Sequence, residues 1–517
     1  MKSSVLSGET GLPPMEVHRS SGSGAGGGVG SQSTVISLED LPLHAIPQHP
    51  LGVKPSGNQY AAAAVSISRN FIGSFRGLPD EVLAVFLDYL DSYTLRLLGS
   101  TCKFLYAFCR SDDLWKTLFV HANCQRSPIS KSGSFPWQGT WRSTLLGLAK
   151  EQTAQVTCDN VYSDVLYRPF LCTHISLKPF TNNIPHCNTI PRLEDLTPEE
   201  FSSKWSDKPF ILTQPVQQWP VYRSWTTDTL LEKYGSVKFR AEAVDWTLAT
   251  YVSYMTNSAD ESPLYLFDRS FVSKMSLQTS KSQPTASYWI PECFGEDLFA
   301  VLGDDRPDDK WLIVGPARSG STYHKDPNAT SAWNAVLRGS KYWIMFPSSP
   351  SSPPPPGVYV SEDQSEVTSP LSIAEWLLGF HAEARKTPGC VEGVCGEGEV
   401  LHVPSGWWHL VVNLETSIAI TQNFVPRAHL GRVLEFLKDN TADQVSGFKK
   451  EVTDPYGVFL KRMREEHPEL LEQALAELER KAEGRKRKWD DVARNDEENG
   501  GGGFSFGFGS DSDEEVP

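Results

Sequence analysis

The sequence predicts a mainly β domain, barrel-like in character, set between α-helical segments. Three observations predict it. From about 240 to 425 the chain offers many short runs of strand-forming residues with turn residues between them. From about 71 to 125 apolar residues recur at helical spacing, and after 425 the helical pattern returns. A length of 517 residues exceeds one ordinary core, so two or three domains are expected.

Residues 1–70 read as a disordered leader, because "SSGSGAGGGVGSQS" buries too little apolar surface to order itself. Over 71–125, Leu78, Val82, Val85, Phe86 and Leu90 form one helical run, and Leu95, Leu98, Cys102, Leu105 and Phe108 a second. A Trp-bearing bridge and irregular sequence occupy 126–195. "LTPEEFSSKW" then opens a helix, with Thr197 as cap, Pro198 at its first position and Glu200 completing a capping box. "KPFILTQP" reads as a short buried strand. Within the β region, 196–430, "CFGEDLFAVLG" and "SIAEWLLGFHAEA" read as helical interruptions, and "SSPSSPPPPG" as an exposed loop. Helices fill 431–489, and "NDEENGGGGFSFGFGSDSDEEVP" within 490–517 reads as a disordered acidic tail.

The composition narrows the function classes. A net charge of −15 argues against general nucleic-acid binding. No run of about 18 apolar residues could span a bilayer, and the polar N-terminus lacks the apolar core of a secretory signal. Nine irregularly spaced cysteines read as reduced thiols of the cytosol or nucleus. Cys390 and Cys395, with His402 nearby, have no second pair at zinc-finger spacing.

Chemistry concentrates in "STYHKDPN". A histidine two residues before a carboxylate occurs three times: His324/Asp326, His381/Glu383 and His467/Glu469. On a strand such a pair shares one face and can reach one ion, whereas on a helix the two diverge by about 200°. His381 and His467 sit in helical patterns and read as solvated helix residues. His324 alone is flanked by strands, "KWLIVGP" before and "SAWNAVLRGSKYWIMFP" after. A third ligand is offered by His409, on a strand whose His409, Val411 and Asn413 share a face. His402, one strand earlier, is its rival. Two histidines and a carboxylate serve non-haem Fe(II) oxygenases and zinc hydrolases alike. Lys341, in an apolar strand, would favour an oxo-acid cosubstrate if its partner is an anion assisted by Thr421; the alternative is a strand end facing water.

"SPLYLFD", "WLIVGPARSGSTYHKDPNATSAWNAVLRGSKYWIMFP" and "GEVLHVPSGWWHLVVNLETSIAITQNF" resemble the JmjC family of Fe(II)/2-oxoglutarate dioxygenases. The likeness spans about 195–425 and looks closest to the nuclear branch credited with arginine demethylation and lysyl hydroxylation. It implies a double-stranded β-helix, a jelly roll with a metal at its mouth. It assigns His324, Asp326 and His409 to iron, and Ser321, Asn334, Lys341, Thr421 and Tyr265 to 2-oxoglutarate, with O2 as the second cosubstrate. Ser321 stands where that branch usually has threonine, so the hydroxyl is kept. The segment around Leu78, Pro79, Leu90 and Leu95 resembles an F-box, which in other proteins docks a Skp1-type adaptor; the alternative is a helical buttress. The pairing of the two is similar to plant proteins described as histone arginine demethylases. The resemblance therefore implies histone tails or other basic nuclear proteins as substrates. Six basic residues between Arg480 and Lys488, set off by Gly484, read as a nuclear localisation signal.

Overall fold

The computed structural model describes residues 46–58, 72–124, 136–149, 155–348, 352–361, 366–370, 372–440 and 445–498. Two sheets face each other. Eight strands build them: β1 (Lys310–Gly315), β2 (Gly320–His324), β3 (Ser331–Arg338), β4 (Lys341–Phe346), β5 (Val391–Cys395), β6 (Val400–Val403), β7 (Trp408–Asn413) and β8 (Ser417–Phe424). The smaller sheet runs β5-β4-β7-β2. The larger holds β6-β3-β8-β1, extended beyond β6 by Phe210–Leu212 and Arg192–Leu193 and beyond β1 by Leu266–Asp268, Lys238–Ala241 and Val244–Thr247. The chain crosses repeatedly between the sheets, the winding of a double-stranded β-helix. All neighbours among these eight strands pair antiparallel.

Alternation along the strands sorts two interiors. Tyr342, Ile344, Leu410 and Val412 point outward into a core with Trp376 and Leu377, while Trp343, Met345 and Val411 point between the sheets. Two glycines permit the close approaches this winding needs. At Gly339, in the turn joining β3 to β4, φ is +76° and a Cβ would lie 2.4 Å from the Thr416 carbonyl oxygen. At Gly320 a Cβ would lie 2.0 Å from the Val411 carbonyl oxygen, so β2 can pair with β7 only without a side chain there.

The N-terminal helices are α1 (Asp80–Asp88), α2 (Ser92–Leu98), α3 (Lys103–Cys109) and α4 (Asp112–Cys124), followed by α5 (Trp141–Leu146) and α6 (Asp164–His174). α7 (Leu248–Asn257) and α8 (Ile373–Ala384) interrupt the β region, and α9 (Leu430–Asp439), α10 (Pro455–Glu466) and α11 (Pro468–Glu498) close the chain. The Thr197–Glu200 capping box forms, with bonds of 3.2 and 3.1 Å. α1–α5 share one apolar core with the larger sheet: Leu87, Phe104, Trp115 and Trp141 pack with Trp246, Tyr254 and Leu266. Among the described residues no helix is long and apolar enough to cross a membrane.

The structure corrects several sequence expectations. The leader expected over 1–70 lies largely outside the described residues, but 46–58 packs onto the fold: Val53 is buried and Lys54 bridges Tyr162. α6 runs through sequence read as irregular, where Pro169 obscured the helical pattern. "CFGEDLFAVLG" forms 3₁₀ turns, because Gly295 and Gly303 take positive φ. The proline loop is not simply exposed; Pro355 is buried and Trp376 Nε1 donates to the Pro356 carbonyl at 2.8 Å. Gly484 does not break the last helix, which continues to Glu498 into the expected tail; the rest of that tail lies outside the described residues.

Candidate metal centre and cosubstrate pocket

β2 and β7 bring His324, Asp326 and His409 together, with one ligand atom of each within 4.8 Å of the others. His324 stands opposite His409 in the register, and their ring centroids are 4.2 Å apart. Each imidazole turns Nδ1 to the carbonyl two residues back: His324 to Thr322 at 2.8 Å and His409 to Trp407 at 3.0 Å. That bond sets the tautomer with Nε2 as the free donor atom. Burial, then the neighbouring His324, hold the His409 imidazole well below its usual range, so it stays neutral and ready to ligate. Burial pushes the Asp326 carboxyl up, against opposing effects of His324 and a hydrogen bond from Asn423. Its Oδ2 is buried and without a hydrogen-bond partner among the described residues. An orphaned carboxylate oxygen beside two free imidazole nitrogens fits a divalent cation, which would satisfy all three. Lys325, between the ligands, lays its Nζ 4.5 Å from the Trp408 ring centroid, over the indole.

The other histidines are accounted for differently. His402 is fully buried, receives no metal-site neighbour, and packs against Phe201, Phe210 and Phe294 with Nδ1 at 3.1 Å from the Lys208 carbonyl. It belongs to the core outside the larger sheet. His381 does lie on a helix, as its periodicity indicates, but it is buried rather than solvated. Tyr342 Oη sits 2.9 Å from its Nε2 and donates to Glu392 at 2.6 Å, and Arg385 pairs with the same carboxylate. His467 ends α10 with only slight exposure and lies 3.4 Å from Glu296. Both were expected in solvent; the packing of α8 and α10 against neighbours turned them inward.

Lys341 is completely buried in β4, which removes the reading of a strand end facing water. Its Nζ donates to Tyr265 Oη and Asn413 Oδ1, each at 2.7 Å. No carboxylate among the described residues pairs with it. Burial pushes the ammonium down to about 7, with Cys395 opposing slightly. A lysine has three N–H donors, so one remains for a ligand oxygen. Asn413, in turn, donates to Ser319 Oγ at 3.0 Å.

The remaining candidates lie on the inner surface. Ser321 reaches it through a bulge: Val411 pairs with Ser321 and His409 with His324, so between these pairs one residue on β7 opposes two on β2. Asn334 and Thr421 face each other across β3 and β8, and neither hydrogen-bonds Lys341. Thr421 Oγ1 donates to the Trp333 carbonyl at 2.8 Å, while Asn334 Oδ1 is buried without a hydrogen-bond partner among the described residues. Asn413 was missed as the partner of Lys341; its shared parity with His409 and the β4–β7 register were the available signals. Ser319 and Asn423 carried no local signal.

A cleft of about 1000 Å³ opens from His324, Ser321 and Tyr265 toward Glu242, Phe267 and Trp311. Phe267 and Trp311 stack at 5.2 Å. Arg240, Arg269 and Lys274 along the same cleft are paired with Asp245, Asp308 and Asp268. Glu242 makes no ion pair among the described residues; one of its oxygens accepts from the Tyr265 amide at 2.9 Å.

A β-helix carrying two histidines and one carboxylate at its mouth, above a buried lysine, defines a metal-dependent oxygenase of the keto-acid class. Comparison with known proteins agrees. A cupin-like domain model matches residues 199–429 and an F-box-like model residues 75–121. The chain is 37% identical over 456 residues to the arginine-specific demethylase JMJ22 of Arabidopsis thaliana, covering 86% of each chain. It is 34% identical over 377 residues to the lysine-specific demethylase JMJ21 of the same plant, covering 70% of this chain and 38% of that one. To the bifunctional arginine demethylase and lysyl-hydroxylase psr-1 of Caenorhabditis elegans it is 32% identical over 311 residues, 57% of this chain and 72% of that one. The chain belongs to the JmjC family of Fe(II)- and 2-oxoglutarate-dependent oxygenases, joined to an F-box-like domain.

Proposed function

We propose that the protein demethylates methyl-arginine in histone tails or other basic nuclear proteins by hydroxylating the N-methyl carbon. The observation that carries this reading is Glu242, a carboxylate in no ion pair among the described residues, lining the same cleft as His324, beside the stacked Phe267 and Trp311. A carboxylate and aromatic faces together suit a guanidinium. A relative that matches 86% of this chain bears the name of an arginine-specific demethylase, which supports the same substrate class.

In this reading His324, Asp326 and His409 would hold iron, and the cleft beside them would admit the keto acid and O2. Lys341 offers its third N–H to the distal carboxylate of 2-oxoglutarate, with Tyr265 and Asn413 fixing its direction. Asn334 and Ser321 provide further polar atoms, and Thr421 an acceptor oxygen whose proton is already engaged. When bound, iron, 2-oxoglutarate and O2 supply oxidising power for inserting oxygen into a C–H bond, with succinate and CO2 as co-products. An N-hydroxymethyl group then loses formaldehyde and returns the N–H. The same chemistry on a lysyl side chain gives a stable alcohol, a second reading favoured by the bifunctional relative. Mass spectrometry of methyl-arginine and lysyl peptides separates them: loss of about 14 mass units with formaldehyde against gain of about 16. Oxidation of neither peptide class, with His324→Ala as control, would overturn both readings.

Two further parts belong to the proposal. α1, its C-cap Tyr89 and α2 expose Val82, Val85, Phe86, Tyr89, Tyr93 and Leu97, an apolar surface suited to a Skp1-type adaptor. The basic residues from Arg480 to Lys488 lie on α11 and would direct nuclear import.

A further inference from the structure

Tyr265 reaches Lys341 from a segment, Asp260 to Tyr265, that leads into the strand Leu266–Asp268 and whose polar groups are held by side chains. Tyr254 Oη accepts from the Leu264 amide at 2.7 Å and lies 2.8 Å from Asp260, to which it donates. Tyr251 Oη accepts from the Leu266 amide at 3.1 Å and approaches the Leu264 and Val314 carbonyls at 2.9 and 2.7 Å. Glu242 receives the Tyr265 amide. The Ser262 carbonyl accepts from Lys116 Nζ at 2.8 Å.

Lys116 does not belong to the oxygenase fold. It lies on α4, within the F-box-like region. The same ammonium stands 3.2 Å from Asp260, which is nearly buried and for which Lys116 is the one cation within pairing distance among the described residues. Trp141 Nε1, on α5, donates to both Asp260 oxygens at 2.9 Å. One hydrogen bond and one ion pair from the same lysine therefore fasten both ends of the Asp260–Ser262 turn, three residues before Tyr265. Ser262 and Pro263 also line the cleft.

We propose that Lys116 is a positioning residue for the cosubstrate pocket, making the F-box-like helices a working part of the oxygenase. Tyr265 accepts one of the three N–H bonds of Lys341, so a shift of Tyr265 re-aims the ammonium. An N–H aimed away from its acceptor weakens steeply with angle. The proposal rests on the reading of Lys341 as the anchor of 2-oxoglutarate.

The test uses the full chain. Removing Lys116 alone would leave Asp260 as an unpaired buried charge, so the informative variant is Lys116→Met with Asp260→Asn, which removes both charges and the bond to Ser262. 2-Oxoglutarate is titrated calorimetrically into the Mn(II)-loaded protein under nitrogen, and amide exchange is followed without cosubstrate. We expect an affinity about tenfold weaker, faster exchange at Leu264 and Tyr265, and a raised KM for 2-oxoglutarate with kcat at saturation kept within about twofold. Lys116→Arg, which can keep both bonds, restores the affinity. Unchanged affinity in the double variant overturns the inference. Unchanged affinity in Lys341→Ala overturns instead the pocket reading beneath it.

Discussion

Lys341 on β4 stands directly opposite Asn413 on β7, and its Nζ reaches both Asn413 Oδ1 and Tyr265 Oη at 2.7 Å. A buried ammonium held by two neutral acceptors, with no anion beside it among the described residues, is held short of full compensation. That deficit has consequences for pH.

The ordinary lysine value is 10.5, and burial brings Lys341 to about 7 in the folded protein. Between these values the unfolded chain binds one more proton than the folded one, so this group makes stability rise with pH across that window. Below pH 7 both states are protonated and the penalty is fully present. The stability difference between wild type and Lys341→Met should therefore grow in favour of wild type as pH rises from 7 to 10; denaturant titrations at several pH values check it. A flat difference would contradict the burial-lowered ammonium.

Binding of a dicarboxylate should reverse the shift, because an anion favours the charged lysine. Affinity for 2-oxoglutarate is expected to fall above pH 7, by up to about tenfold per unit, with proton uptake on binding. Calorimetry in buffers of different ionisation enthalpy measures that uptake, and Lys341→Met should abolish it.

Metal removal should destabilise the protein without unfolding it. A divalent ion at a hundredfold its Kd contributes about 2.7 kcal/mol, visible as a fall in Tm on chelation. His324→Ala should eliminate this increment. Asp326→Asn, which removes a carboxylate with an unsatisfied buried oxygen, should also lose it while leaving the metal-free protein at least as stable.

His402→Ala should do the opposite. The ring fills space among Phe201, Phe210 and Phe294, so its loss is expected to cost about 2–4 kcal/mol with metal affinity unchanged. Equilibrium unfolding and a Co(II) titration separate the two effects. Loss of metal affinity would make His402, the sequence rival of His409, a ligand after all.

Tyr89, at the C-cap of α1, and Leu97, on α2, are 85% and 52% exposed. Tyr89→Asp and Leu97→Asp should weaken capture of a Skp1-type adaptor by about tenfold or more. Oxygenase activity and stability should change little, within about 0.5 kcal/mol.

The sequence by itself carried what depends on short spacings. His324 and Asp326 two apart between strands, His409 on an alternating strand and the Thr197–Glu200 capping box are local patterns with direct geometric consequences. The helical spacing of 71–125 and the strand-rich 240–425 are of the same kind. What a side chain meets across the fold is not local, and only the tertiary structure decided it. His324, His402 and His381 are all histidines beside apolar residues; one faces its metal-site partners, one an aromatic core and one a tyrosine–glutamate pair, according to which sheet face or helix side packing covered. A bulge that no local spacing marks turned Ser321 inward, and the β4–β7 register placed Asn413 against Lys341. The attachment of Lys116 to Ser262 joins residues 146 apart in sequence. Hydrogen bonds of that separation are selected by the packing of whole elements, which periodicity along one segment does not encode.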